Sequence, residues 1–451
     1  MNRSRVVPAL VALAVIYSIV HFVVSGVIFA LRTPNIGQVV EELQPLYRLF
    51  TLGEATVDHP RQYGPIFLML FHPVYRLDLV DRTMLSWYAY ALDLIAILIG
   101  FVATGDAIRT WAASRGVTIG RSMWLALGLL WTNFSPLYGV LVIKNVELWE
   151  LALIAVAGAA LLRGHRWVVA WSIAAAALVK MLPLVFIPYL LIRDRRTFAY
   201  TLVALGVLAT IAQALYGTGM GWGYLPALVQ AAVGGDGYGN ALGLVWHENV
   251  SIRGIVAKAF GYLEDPSAGV ISSYQRGYYV RVLPELYPTA RVLGLAMQAI
   301  GSLWVGVTLL RRMRRPEPSR SFWDWALIGI MMLVLAPQIS QDYMVLALFA
   351  FSYVLAACML FGDRRSWIEF AIAVLLVGNV VPRGVFSRLV GIDPMMAYSG
   401  YDHLMRAEAY QYFGFPLLGL LVLTRTWLRL SEADTAAVPA GSGPDGRIVS
   451  L

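Results

Sequence analysis

Apolar runs long enough to cross a bilayer recur along almost the whole chain, and short clusters of arginine punctuate them. That alternation excludes most folds. A lipid-exposed segment must satisfy its own backbone N–H and C=O groups, so such a chain is built from helices packed side by side. Composition agrees: 59% of the 451 residues are hydrophobic and only 14% charged, against about 25% charged in soluble globular proteins. The mean hydropathy is +0.66. The expected fold class is an all-α polytopic membrane protein. Its net charge of +8 comes almost wholly from arginines in short loops, the pattern that orients membrane helices and gives no sign of a nucleic-acid partner. The single cysteine, Cys358, lies in an apolar run and reads as a small buried residue.

Arg3 and Arg5 precede a first apolar helix that is too long for a signal peptide and lacks a small-residue cleavage site. Further basic clusters stand at Arg109–Arg121, Arg163–Arg166, Arg193–Arg196, Arg311–Arg320, Arg364–Arg365 and after Arg425. With all of them on the cytoplasmic side, the positive-inside rule predicts spans near 8–31, 86–107, 122–142, 147–162, 167–180, 183–193, 198–216, 290–310, 322–337, 342–361, 366–382 and 412–429. That is about twelve crossings of a cell membrane, with both termini cytoplasmic. Residues 64–80 are apolar but hold Pro65 and Pro73, and are predicted to lie at or dip into the outer interface. Residues 167–193 carry arginines at both ends and Lys180-Met181-Leu182-Pro183 midway. A pair of short helices meeting at that break satisfies the charges, with one kinked helix as the rival. Three outer loops remain, 32–85, 217–289 and 383–411, rich in Trp, Tyr and Gly. Residues 1–430 read as one membrane domain without tandem repeats, and 431–451 as a disordered cytoplasmic tail.

The first outer loop collects Glu41, Glu42, Glu54 and Asp58. Carboxylates are costly to keep beside lipid, and one held near a reacting hydroxyl can accept its proton. Only one is needed, so the others are ordinary solvated or salt-bridged acids. Lys180, inside a predicted membrane segment, either binds an anionic phosphate, pairs with a carboxylate such as Glu147, or snorkels to the interface. In the long outer loop His247, Asn249 and Arg253 can together coordinate a phosphate. Asn249-Val250-Ser251 also fits an N-glycosylation acceptor. The glycines of 234–239 lack the strand and lysine of a phosphate-binding loop. A tight outer hairpin, Ala336–Tyr343, adds Asp342 as another acid in the same compartment, although a hairpin needs turn residues there anyway. Arg383, Arg388, Asp402, His403 and Arg406 of the last outer loop suit lipid headgroups better than a substrate. No spacing of His, Cys, Asp and Glu suggests zinc, so neither metal nor cofactor is expected.

Four local patterns carry a resemblance. The first loop ends in Gly53…Tyr63-Gly64-Pro65; Asn145-Val146-Glu147 opens a helix that closes in Arg163-Gly164-His165-Arg166; Lys180-x-x-Pro183 is followed by Arg193-x-Arg195-Arg196; and Asn249-x-Ser251 stands in the long loop. In their order and spacing, from the first helix to about residue 430, they resemble the GT-C glycosyltransferases of family 87, the polyprenyl-phosphate-mannose-dependent mannosyltransferases. This chain departs from the family's first-loop aspartate, with Glu41 or Glu42 as the nearest equivalent, and from its late His-Tyr, where Asp342-Tyr343 stands. The resemblance implies a GT-C-like bundle with interfacial helices in its outer loops. It further implies inverting transfer of a sugar, mannose in the first instance, from a polyprenyl-phosphate donor to a lipid or glycan acceptor on the outer, periplasmic face. Glu41 or Glu42 would be the base, with Asp58 as runner-up. Lys180, His247 and Arg253 would steady the departing phosphate, Tyr63, Asn249 and Asp342 would line the substrate site, and residues 64–80 would wall a groove for the lipid tail. The competing class is a multi-span lipid or sugar transporter or flippase. It shares the broken helix and the membrane-embedded lysine, but it does not need so many first-loop acids and usually shows similar halves.

Overall fold

Arginine clusters, prolines and glycines set where the apolar runs begin and end as helices. The structure, a computed structural model, describes residues 3–23, 64–76, 82–143, 145–217, 219–226, 244–246, 249–264, 279–313, 319–337, 339–378, 414–436 and 449–450. Helix α1 is Arg3–His21, α2 Pro65–Arg76, α3 Arg82–Ala113, α4 Arg121–Asn133 and α5 Ser135–Ile143. Then come α6 (Glu147–Leu162), α7 (Arg166–Val179), α8 (Phe186–Arg193) and α9 (Arg195–Tyr216). A short helix, α10 (Ile252–Ala259), precedes α11 (Tyr287–Arg312), α12 (Ser319–Leu335), α13 (Leu348–Phe361), α14 (Arg364–Gly378) and α15 (Phe415–Ala436).

The chain is a helical membrane protein. Four stretches among the described residues are long and apolar enough to cross a bilayer: Trp87–Ala113, Arg195–Tyr216, Tyr287–Arg312 and Asp342–Phe361. The other predicted spans coincide with helices that are shorter, interrupted or, in the case of the 22-residue α15, charged along the second half, so the count of twelve goes beyond these four. The 122–142 run divides into α4 and α5 because Pro136, in the first turn of α5, is tolerated there but could not continue α4. The 342–361 run starts as a 3-10 segment, Gln341–Ala347, before α13. Two additions to the all-α expectation appear: Val117–Thr118 pairs in parallel with Val449–Ser450, within the tail expected to be disordered, and a second sheet lies in the long outer loop. Strands Leu244–Trp246, Gly261–Glu264 and Tyr279–Val282 form a small antiparallel sheet with the third strand in the middle.

Small residues and stacked rings hold the bundle together. Apolar burial gives little drive between helices in lipid, so close backbone approach and packing do the work. Gly158 of α6 sits where a side chain would come within 2.7 Å of the Trp325 indole of α12. Trp111 of α3 stacks on Phe322 of α12 at 4.1 Å, and Phe322 on Tyr353 of α13 at 4.2 Å. Helix α13 is buried from Leu348 to Cys358, which places the cysteine in the core as expected.

All the arginine clusters from Arg109 onward meet at one end of the bundle. Asp106 of α3 pairs with Arg163, Arg166 with Asp194 at 2.6 Å, and Arg193 donates to Ser321 at 2.9 Å. Arg312 pairs with Asp324 at 2.9 Å, and Glu369 accepts from Arg365 and Arg429. Arg115 reaches Asp434 at 2.5 Å, and Asp434 also accepts from Ser319 and Trp323. Helix α15 therefore runs past the expected boundary at 431 to Ala436, because Ser431 and Asp434 are buried in this network.

The Arg166–Asp194 pair also decides between the two readings of 167–193. It brings the start of α7 and the end of α8 to the same level, so the segment folds back as a broken pair. Lys180 stands at the break in an extended conformation (φ −152°, ψ 154°), followed by the 3-10 turn Leu182–Val185. Helix α2, twelve residues long and about 18 Å, is too short to span. It packs Phe67, Leu68 and Phe71 against Ala174 and Leu178 of α7 and Leu205 of α9.

Candidate functional site

The site lies at the end of the bundle opposite the arginines, and one glycine sets its geometry. Gly64 donates its N–H to the Val179 carbonyl at 2.8 Å. A Cβ there would lie 1.9 Å from the Leu178 carbonyl oxygen and 3.0 Å from the Tyr224 hydroxyl. Only glycine lets the end of the first loop dock this closely on the last turn of α7, and Pro65 then opens α2 at its first position.

Lys180 follows directly. Its Nζ lies 2.5 Å from Glu147 Oε1 and 4.3 Å above the Tyr343 ring, an ion pair with a cation–π contact beneath it. Of the partners weighed from the sequence, the carboxylate is the one that the geometry provides. Glu147 and Glu150 both stand in the first turn of α6, where the positive end of the helix dipole favours anions. Glu150 is fully buried, and neither of its oxygens has a hydrogen-bond partner among the described residues. The buried Tyr224 hydroxyl is in the same condition. Burial, and then the Glu150 carboxylate, hold that phenol above its ordinary value, so it remains a proton donor.

The late hairpin joins this cluster to the long loop. Val250 N–H donates to the Ile339 carbonyl at 2.7 Å. Asn249 Oδ1 accepts from the Ser251 and Ile339 amides at 3.0 and 3.1 Å, while its Nδ2 donates to the Pro337 carbonyl at 3.4 Å. The Ser251 hydroxyl donates to the same carbonyl at 3.1 Å and caps α10 by accepting from Gly254 N–H. At 6% and 0% exposure, Asn249 and Ser251 form a buried staple, and a glycan has no room on that asparagine. Four residues after Ile339 comes Tyr343, under Lys180. Asp342 points at Gly139 of α5, 3.0 Å from where a Cβ would stand.

Arg253 lies across Gly294 of α11, with its Cγ 3.2 Å from that glycine's would-be Cβ. Burial and the neighbouring Arg291 both pull its guanidinium below the usual arginine value. Two cations held near one another in this way suit an anion. Tyr287 stands one turn before Arg291 on the same face of α11.

Gly64, Glu147, Lys180, Asn249 and Asp342 thus gather at one end, with Arg253 on the flank. The patterns Arg163–Arg166 and Arg193–Arg196 belong to the opposite end and take no part. Glu41, Glu42, Asp58, Tyr63 and His247 lie outside the described residues, as do Glu54, Arg383, Arg388, Asp402, His403 and Arg406. Reading by sequence missed Glu150, Tyr224 and Arg291. Glu150 carried a signal, since a second acid three residues after Glu147 in an otherwise apolar helix is itself expensive. Tyr224 and Arg291 carried none, being an aromatic and an arginine among many. Among the described residues no group of three His, Cys, Asp or Glu is arranged to hold a metal ion.

A family model described as glycosyltransferase family 87 matches residues 62–337. The match takes in Gly64, Glu147, Glu150, Lys180, Asn249 and Arg253, and stops at the late hairpin. No curated protein matches the chain.

Proposed function

The chain belongs to glycosyltransferase family 87, and from that footing we propose that it moves a hexose, mannose in the first instance, from a polyprenyl-phosphate carrier to a lipid or glycan acceptor. As a membrane glycosyltransferase it needs a sugar donor and an acceptor. A lipid-linked donor suits a site at one end of a helical bundle, beside the short helix α2, which would wall the tail. The reaction is an inverting displacement. The acceptor oxygen attacks the anomeric carbon opposite the phosphate, the new C–O bond forms, and the bond from that carbon to the phosphate oxygen breaks. The acceptor's proton passes to Glu41 or Glu42, with Asp58 as the alternative base. Polyprenyl phosphate leaves with the electron pair, and neither nucleotide nor metal enters the scheme.

Charge divides the labour among the remaining residues. Lys180 is already paired with Glu147, so the leaving phosphate is assigned to Arg253 and Arg291 as preorganised cations, together with His247. Lys180, Tyr63, Asn249 and Asp342 shape the substrate side. About twelve crossings, with the arginine-rich end and both termini cytoplasmic, would put the site on the outer face.

The observation that carries this reading is the convergence of Gly64, Glu147, Lys180 and Asn249, from four separated segments, at the end away from the arginines. The test uses membranes containing the full chain and radiolabelled polyprenyl-phosphate mannose. Labelled glycolipid or glycan should form, and the Glu41→Gln, Glu42→Gln double variant should lose about 100-fold or more. Retained transfer in that variant would sink the proposed base. Movement of the labelled lipid across the membrane without transfer would instead favour a flippase.

A further inference from the structure

The cluster beneath Gly64 holds more acid than its one lysine answers. Glu147 spends one oxygen on Lys180, and its second oxygen has no hydrogen-bond partner among the described residues. Glu150, one turn along on the same face of α6, spends neither. The Tyr224 hydroxyl is buried and unsatisfied beside them, within the field of Glu150, Lys180 and Tyr343. Buried polar groups are almost always hydrogen-bonded, so three acceptor oxygens and a phenol left over in one place mark a position for a ligand. The approach is not sealed, since Tyr343, beneath Lys180, is only half-buried.

The balance of charge says what the ligand is. A phosphate would find no free cation there among the described residues, because the one ammonium is already paired with Glu147, and a second acidic side chain stands beside that pair. A neutral polyhydroxyl ring suits the site. Its hydroxyls can donate to Glu147 and Glu150 and accept from Tyr224 and Lys180, and charge-assisted hydrogen bonds of that kind are the strong ones. We propose that Glu150, with the second oxygen of Glu147 and the Tyr224 hydroxyl, forms the pocket that seats the hydroxyls of the donor sugar. This rests on the transferase reading above, and assigns sugar recognition to the Lys180 break and phosphate recognition to Arg253 and Arg291. Helix α2, which starts at Pro65 directly after Gly64 and is proposed to wall the lipid tail, would place the sugar on that lipid at this end of the bundle.

Two lipids separate the possibilities. The purified full-length protein in detergent is titrated with polyprenyl-phosphate mannose and, separately, with bare polyprenyl phosphate, following tryptophan fluorescence. The Glu150→Gln variant, matched to the parent in thermal unfolding, should bind the sugar-bearing lipid about ten-fold or more weaker and the bare lipid within about two-fold of the parent. Tyr224→Phe, which removes only a hydroxyl, should show the same selectivity at a few-fold. It answers the question even if the Glu150 variant folds poorly. Equal losses for both lipids would make this the phosphate site and overturn the proposal, and no loss for either would reduce Glu150 to helix packing. A parent protein that binds both lipids while the variants lose nothing refutes the pocket alone. A parent that binds neither lipid refutes the donor reading itself and takes the pocket with it.

Discussion

Gly64→Ala puts the smallest possible side chain where the first loop meets the break in the bundle. The added Cβ would lie 1.9 Å from the Leu178 carbonyl oxygen and 2.6 Å from its carbon, so the contact has to open to at least 3.0 Å, a shift of about 1.1 Å. The obstructing atoms are backbone in the last turn of α7 and cannot rotate away. Overpacking of this kind costs about 1–3 kcal/mol, and loosening the 2.8 Å bond from Gly64 N–H to the Val179 carbonyl adds about 1 kcal/mol. A total near 2–4 kcal/mol is therefore expected in stability. The effect on turnover should be larger in proportion, because Val179 leads directly into Lys180, and misplacing a substrate-positioning group by about 1 Å costs about 100-fold in rate. Sugar transfer in membranes at matched expression, with thermal unfolding of the purified protein, measures both. Gly128→Ala in α4 is the control: nothing lies within 4 Å of its would-be Cβ, so neither reading should fall. Gly64→Ala with turnover and unfolding temperature like the parent's would refute the docking of the first loop on α7 as the determinant of the site.

Asp434→Asn should be among the most damaging changes at the arginine-rich end, since it strips a fully buried carboxylate from Arg115. A loss of about 3–5 kcal/mol is expected, and an unfolding temperature like the parent's would show that α15 is not anchored there. Asn249→Ala leaves the Ile339 and Ser251 amides without their acceptor, at a cost of about 2–4 kcal/mol. Folded protein made in a glycosylating host should carry no glycan at this asparagine, which mass spectrometry reads directly. At Asp194, burial alone would raise the carboxyl, but hydrogen bonds from Arg166, Thr197 and the Arg196 amide hold it below its ordinary value. Its contribution is thus fully present above the unfolded value of about 3.9 and is lost as pH falls through the lower folded value. Asp194→Asn should flatten that part of the acid-unfolding profile, and an unchanged profile would dismiss the carboxyl as a support of the α7–α8 pair.

Much of the architecture can be read locally. An arginine's charge must stay out of hydrocarbon wherever the rest of the chain goes, so the clusters mark one end of the bundle, and Asp106–Arg163, Arg166–Asp194 and Arg115–Asp434 join there. The expected helix at 147–162 and the break at Lys180-x-x-Pro183 rest equally on local chemistry: an apolar run between polar ends, and a proline that cannot continue a helix. The strands of the long loop escaped because three or four residues between turns carry little periodicity.

At the candidate site the division is sharper. Sequence alone determined depth, because hydropathy measures each segment's preference for lipid or water, and it nominated Gly64, Glu147, Lys180 and Asn249. Only tertiary structure decided what they touch: that Lys180 pairs with Glu147, that the Asn-x-Ser pattern is a buried staple on the late hairpin, and that Glu150 has no hydrogen-bond partner among the described residues. Those outcomes depend on which helix faces pack together. That packing is set by small residues and ring stacks far apart in the chain, which no local pattern encodes.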